Sequence, residues 1–346
     1  MNPIIWSLLI TSLTTSTILT MASNHWLLAW IGLELNTLSI MPIMMKPHHP
    51  RATEATTKYF IIQATAAATI LLASTLNAWQ TGEWSILHTN SSLTTTLATI
   101  ALMMKLGLAP AHLWYPEVLQ GMNLHTAMLI STWQKIAPLA LLYLMYSTLN
   151  PTVLMLLGIT SAATGGWTGL NQTQTRKIMA FSSIAHMGWL LPALATNQHL
   201  ATLTMVIYLT TTTATFLTLA ATATKTMQDI STTWTAAPIA TAMTLMLLMS
   251  LAGLPPLTGF MPKWLIINEL TTTNLMPLSL ALLMTSLPSL YFYTRMSYMT
   301  MLTSSPTTST MKMKWRLNTK FNPSTTLLAT LATMLLPLTT TIYTTT

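Results

Sequence analysis

The sequence predicts an all-α integral membrane protein of roughly eleven transmembrane helices, arranged as two inverted five-helix repeats, each with a broken helix, followed by a C-terminal helix. Three observations carry that prediction. Of 346 residues, 51% are hydrophobic and only 6% charged, with a mean hydropathy of +0.54, whereas a soluble domain carries about 25% charged residues. Apolar stretches near the ~20 residues needed to cross a bilayer recur almost end to end. One phrase also occurs twice. Gly107-Leu108-Ala109-Pro110, followed by Trp114 and Pro116-Glu117, matches Gly253-Leu254-Pro255-Pro256, followed by Phe260 and Pro262-Lys263, with each position 146 residues further on.

With a 20-residue span as the ruler, crossings are expected near 3–21, 25–45, 58–78, 92–111, 125–147, 151–170, 178–195, 199–222, 237–271, 275–299 and 324–343. Met1 to Ile10 carries no Arg, so the apolar start reads as the first crossing and not as a targeting peptide. The fourth and ninth crossings contain the repeated breaks, and the ninth is long because its halves flank Leu254-Pro255-Pro256. Five crossings separate the first broken helix from the second, and an odd number inverts the repeat. The single membrane domain 1–346 therefore divides into a first repeat, 1–147, an inverted second repeat, 151–299, and an appended helix, 324–343. Gly/Pro-interrupted segments at matching places in two repeats point to the transport site of a repeat-built carrier.

The net charge of +8 is a topology signal, not the mark of a nucleic-acid binder. Lys46, Arg51, Lys58, Arg176, Lys177, Lys225, Lys312, Lys314, Arg316 and Lys320 all flank even-numbered loops, and no Lys or Arg falls in an odd-numbered one. By the positive-inside rule the N-terminus lies inside and the C-terminus outside. The loop holding Lys312, Lys314, Arg316 and Lys320 reads as a site for anionic phospholipid, cardiolipin included, or a neighbouring subunit, with a plain solvated loop as the alternative.

Absence of cysteine excludes disulfides, thiolate-ligated iron–sulfur clusters and covalent haem attachment. No G-x-G-x-x-G or Walker loop is present, and no His/Glu pair has metal-ligand spacing, so neither cofactor nor metal is expected in this chain.

A charge at the bilayer centre costs at least ~2.5 kcal/mol, which makes each intramembrane ionisable residue a functional candidate. Glu34 lies mid-span in Trp30-Ile31-Gly32-Leu33-Glu34, Lys105 just before the first break, Lys135 about half-way along the fifth crossing, and Lys263 after the second break. A movable carboxylate near lysines provides a cycle of proton gain and loss; the bland alternative is a static Glu34–Lys105 salt bridge that only fixes packing. His112, after the first break, and His186, mid-helix, are candidate relays, with ordinary packing as the rival reading. Ser182 and Ser183 extend that relay only weakly. The threonine runs, such as Thr210 to Thr213, read as self-satisfied helix residues.

These motifs carry a family resemblance. Met1-Asn2-Pro3-Ile4-Ile5, Ser23-Asn24-His25-Trp26-Leu27-Leu28-Ala29-Trp30-Ile31-Gly32-Leu33-Glu34, Pro50-Arg51-Ala52-Thr53-Glu54-Ala55, Gly169-Leu170-Asn171-Gln172-Thr173-Gln174 with Arg176-Lys177, and Gly253-Leu254-Pro255-Pro256-Leu257-Thr258-Gly259-Phe260 resemble the subunit 2 family of mitochondrial NADH:ubiquinone oxidoreductase, respiratory complex I, in its vertebrate form. The resemblance spans essentially the whole chain. It implies an antiporter-like subunit of the membrane arm, in the mitochondrial inner membrane with its N-terminus in the matrix and its C-terminus in the intermembrane space. It implies a mid-membrane charged axis falling on Glu34, Lys105, Lys135 and Lys263. Its partners would be the other membrane-arm subunits, and NAD, FMN, iron–sulfur clusters and ubiquinone would be bound elsewhere in the assembly. A free-standing cation/proton antiporter and a purely structural membrane subunit are the rival readings.

Overall fold

A computed structural model describes residues 3–89, 91–301 and 323–345; Lys312, Lys314, Arg316 and Lys320 lie outside them. Among the described residues the regular elements are all helices, accompanied by two isolated antiparallel bridges. The chain forms two compact units, Met1–Thr160 and Ser161–Thr346.

In the first unit α1 (Pro3–Met21), α2 (Trp26–Met45) and α3 (Pro50–Thr81) pack in sequence order. The first break separates α4 (Ser92–Leu106) from α5 (Trp114–Gly121), and both lie on α3. Next come α6 (Leu124–Ser131) and α7 (Trp133–Leu144), the latter against α1, α2 and α4. The unit boundary falls within α8 (Pro151–Gly169). In the second unit follow α9 (Thr175–Thr196), α10 (Gln198–Ala221), the short α11 (Met227–Ala236), α12 (Pro238–Ala252), α13 (Phe260–Thr272) and α14 (Met276–Thr300). The chain then continues to α15 (Pro323–Met334) and, after a 3₁₀ turn at Leu336–Leu338, α16 (Thr339–Thr345).

Among the described residues, seven helical stretches are long and apolar enough to cross a membrane: α1, α2, α3, the α6–α7 pair, α9, α10 and α14. The halves α4 and α12 are apolar but shorter, because the breaks cut them. Side chains such as Ile4, Leu8, Trp79 and Leu280 are exposed, so the outer surface is apolar, as lipid requires of a helical membrane protein. Thr211, Thr212 and Thr213 each donate to the carbonyl one turn back, which satisfies their hydroxyls without water.

Both breaks close in the same way. Gly107 (φ +72) and Gly253 (φ +80) adopt the left-handed conformation that ends a helix. The next residue's N–H reaches back five residues, Leu108 to Met103 O at 3.0 Å and Leu254 to Met249 O at 3.3 Å, a Schellman-type cap in each case. The Ala109–Pro110 and Pro255–Pro256 peptides that follow are both cis.

Elsewhere the helices depart from the expected spans. The fifth crossing is not continuous: Thr132 interrupts it, its hydroxyl donating to Met128 O at 2.7 Å, so Lys135 sits in the first turn of a new helix. The third extends back to Pro50, where the His49 imidazole accepts from Arg51 N–H as the cap. The appended helix divides at Leu336–Leu338, where Pro337 removes a helix donor. Helix α11 was not expected from hydropathy; a Thr226/Asp229 capping box starts it.

Candidate functional site

Each unit holds a buried cavity beside its break. In the first unit, walls come from Leu33, Asn36 and Thr37 of α2, Tyr59 and Gln63 of α3, Lys105 of α4, Trp114 and Tyr115 of α5, and Gln134, Lys135 and Pro138 of α7. The free space suits about one water molecule. Lys105 is 6% exposed and Lys135 2%. Lys105 Nζ lies 3.5 Å from Gln63 O, and Gln63 Nε2 donates to Lys105 O at 3.4 Å, so lysine and glutamine clasp each other across α3 and α4. Lys135 Nζ stands 5.0 Å above the Tyr115 ring centroid, a cation–π distance. Tyr59 Oη donates to Gln134 Oε1 at 3.4 Å, and Gln134 Nε2 donates to Asn36 Oδ1 at 3.1 Å.

Glu34 does not join this wall. Successive helix residues turn by about 100°, so Leu33, Asn36 and Thr37 share the face toward the cavity, while Glu34, next to that face, stays close enough to act electrostatically on Lys105 and Tyr59. No ion pair joins Glu34 to Lys105 among the described residues, and one carboxylate oxygen, Oε2, is buried without a hydrogen bond. The static salt bridge allowed by the sequence is therefore not formed. His112 also stays out of the cavity: buried, it holds Nδ1 3.3 Å from Pro110 O in the break itself.

In the second unit the cavity is larger, with room for a few waters, and is lined by His186, Trp189, Thr204, Tyr208, Ser250 and Lys263 among others. As Lys105 and Lys135 line the first cavity, so His186 and Lys263 line this one. Lys263 reaches back from α13 to donate to Ala252 O at 2.8 Å, at the cut end of α12, with the Trp189 ring centroid 6.0 Å away. The partial negative charge of a helix C-terminus attracts a cation. Lys105 occupies the last turn of α4, so each interrupted helix ends beside a lysine, although the two lysines come from opposite sides of their breaks. His186 Nε2 lies 3.1 Å from Tyr293 Oη, and its ring centroid is 5.9 Å from that of Tyr208. Ser182 and Ser183 donate to Met179 O and Ala180 O within their own helix.

Glu117, at the repeat position equivalent to Lys263, is exposed and paired with Lys58 Nζ at 2.7 Å, as is Glu54. Sequence reasoning missed Tyr59, Gln63, Gln134 and Asn36. An amide inside an apolar run was the available signal, since a carboxamide in lipid must find a partner.

Helices all round, two interrupted ones and a lysine at each interruption define an antiporter-like membrane protein. Residues 23–289 match the family described as the NADH:quinone oxidoreductase/Mrp antiporter transmembrane region, and 290–343 that described as the NADH dehydrogenase subunit 2 C-terminus. The NADH-ubiquinone oxidoreductase chain 2 of Carassius auratus is 52% identical over 99% of both chains, and that of Gallus gallus 49% identical over 98% of both. The chain belongs to the NADH-ubiquinone oxidoreductase chain 2 family. A chain of respiratory complex I from Thermus thermophilus superposes with a TM-score of 0.83 at 26% identity, covering 95% of this chain and 79% of that one. A chain of the Mrp complex from Dietzia sp. DQ12-45-1b shares the fold, with a TM-score of 0.80 at 18% identity over 86% of this chain and 61% of that one.

Proposed function

We propose that this chain is an antiporter-like membrane-arm subunit of mitochondrial NADH:ubiquinone oxidoreductase, and that it contributes to proton translocation while carrying no redox centre. The observation that carries the proposal is the placing of a lysine at a small cavity beside each broken helix, with room for about one water in the first and a few in the second. Lysine takes and releases one proton, and the interrupted helix supplies the charge against which it does so. Lys105 and Lys135 serve the first unit and Lys263 the second, with His186 as the relay beside Lys263. Glu34 and His112 act from outside the first cavity, Glu34 through its unpaired oxygen and His112 from the break. NAD, FMN, iron–sulfur clusters and ubiquinone belong to other subunits.

The chain crosses the inner membrane eleven times in this reading, with inverted repeats 1–147 and 151–299, the segment 324–343 appended, the N-terminus in the matrix and the C-terminus in the intermembrane space. Support for the repeat comes from the matching caps at Gly107 and Gly253 and from two bridges. His25 pairs with Ser85, tying the α1–α2 turn to the α3–α4 loop, and Gln174 pairs with Thr226, tying the α8–α9 turn to the α10–α11 loop. The basic loops contact phospholipid headgroups, cardiolipin among them, or neighbouring membrane-arm subunits.

A native gel of mildly solubilised mitochondrial membranes tests the assembly: this chain is expected in the large band stained for NADH dehydrogenase activity, and its recovery in a small inactive species instead would favour a free antiporter. In the assembled complex, Lys135→Met is expected to lower the protons moved per electron, and an unchanged ratio would remove Lys135 from the proton path.

A further inference from the structure

The Tyr59–Gln134–Asn36 chain of hydrogen bonds has no part in the scheme above. It runs from α3 through α7 to α2 along the wall of the lysine cavity, and Gln134 adjoins Lys135 in sequence. Pro138, one turn further along α7, has no N–H to give the Gln134 carbonyl, so the ordinary helix bond that would steady this turn is missing. Two side-chain bonds hold Gln134 instead.

A proton travels along hydrogen bonds only through groups that accept at one atom and release at another, as water, hydroxyl, imidazole and carboxyl groups do. A carboxamide has donors on nitrogen and an acceptor on oxygen and does not exchange these roles near neutral pH. Two amides in line therefore end the chain. The titratable groups facing this place are Lys105 from α4, Lys135 from α7, Tyr59 from α3 and Tyr115 from α5, and Glu34 of α2, outside the lining, acts electrostatically on Tyr59 and Lys105. Of these the Tyr59 hydroxyl stands at the α3 side of the wall, and its proton is aimed at Gln134 Oε1.

Resting on the reading that Lys105 and Lys135 move protons, we propose that Gln134 insulates the lysine cavity along the Tyr59–Asn36 line, by filling the place beside the Tyr59 hydroxyl with a side chain that cannot pass its proton on. The lysines are thereby left without a hydrogen-bonded path for protons through Gln134 to Tyr59 or Asn36.

The test uses the intact complex in proteoliposomes, with protons moved per NADH oxidised as the readout. Gln134→Glu keeps the shape of the side chain and installs a group that relays protons; the ratio is expected to fall while NADH oxidation stays within about twofold of the parent. Adding Tyr59→Phe removes the hydroxyl that feeds the relay and is expected to restore the ratio. Gln134→Met removes both hydrogen bonds without adding a titratable group and is expected to keep it. A parent-like ratio in Gln134→Glu, or an equal fall in Gln134→Met, overturns the proposal. If the carboxylate prevents assembly, Gln134→His, whose imidazole also relays protons, takes its place, with the same fall expected and a parent-like ratio overturning the proposal. Lys135→Met separates the two claims: a full ratio in that variant sinks the lysine reading, whereas a lowered one beside an unaffected Gln134→Glu sinks only the seal.

Discussion

At the scale of single residues, a charge in lipid acquires meaning only with its surroundings. Gly253 illustrates how closely those are set: a Cβ there would stand 3.0 Å from Lys263 Nζ and 3.1 Å from its Cδ. Gly82 shares the left-handed backbone, with φ +75, but a Cβ there meets nothing within 4 Å. A side chain at such a φ costs roughly 1–2 kcal/mol in either place. Gly82→Ala and Gly253→Ala are therefore expected to lower thermal stability alike, while only Gly253→Ala displaces the lysine from Ala252 O and lowers the proton-to-electron ratio. Equal ratios in the two variants would show that the glycine serves the backbone alone. Glu34 and Lys105 teach the complementary lesson, because two opposite charges within electrostatic reach of each other form no ion pair.

At the scale of elements, the caps decide where helices begin and end. Helix α11 starts where Asp229 Oδ2 accepts from Lys225 N at 3.0 Å and Thr226 N at 2.8 Å, while Thr226 Oγ1 accepts from Asp229 N. Burial pushes the Asp229 carboxyl upward, but the hydrogen bonds to its ionised form outweigh that and hold it below the ordinary carboxylate value. A depressed folded value stabilises the fold above the unfolded carboxyl value, ~3.9, and that stabilisation is lost as pH falls through the folded value. Asp229→Asn is accordingly expected to lower stability above about pH 4 and to bring no loss in stronger acid, read as hydrogen exchange of residues 227–236 against pH. A loss independent of pH would mean that the charge plays no part in the cap. At the other end of the unit, Thr258 in the second break donates to Ala332 O, a carbonyl in the last turn of α15 that lacks a helix partner. The appended segment is thus tied to the break that holds Lys263.

At the scale of the whole molecule, the distribution of basic residues is the basis of the proposed orientation. If the N-terminus lies in the matrix, the basic sequence Lys312, Lys314, Arg316 and Lys320 is expected on the matrix side as well. Trypsin is expected to cut there in inverted inner-membrane vesicles and to spare it in mitoplasts. Cleavage in mitoplasts would reverse the proposed topology.

The long apolar helices, the two breaks and the lysines set in apolar runs were legible in the sequence because each is local. Hydropathy records the lipid solvent, a Gly/Pro phrase records where a helix must stop, and a lysine in an apolar run records a cost that something must justify. Even the interruption at Thr132 and the short α11 escaped that reading, since a mid-span kink and an amphipathic loop helix leave little trace in hydropathy. Only the tertiary structure decided which charges share a space. The first cavity draws its walls from helices far apart in sequence, so nothing along the chain announced that Gln63 would clasp Lys105, that Gln134 would join Tyr59 to Asn36, or that Glu34 would form no ion pair with Lys105. A side chain's partners depend on which helix faces meet, and that is a property of packing rather than of any one segment.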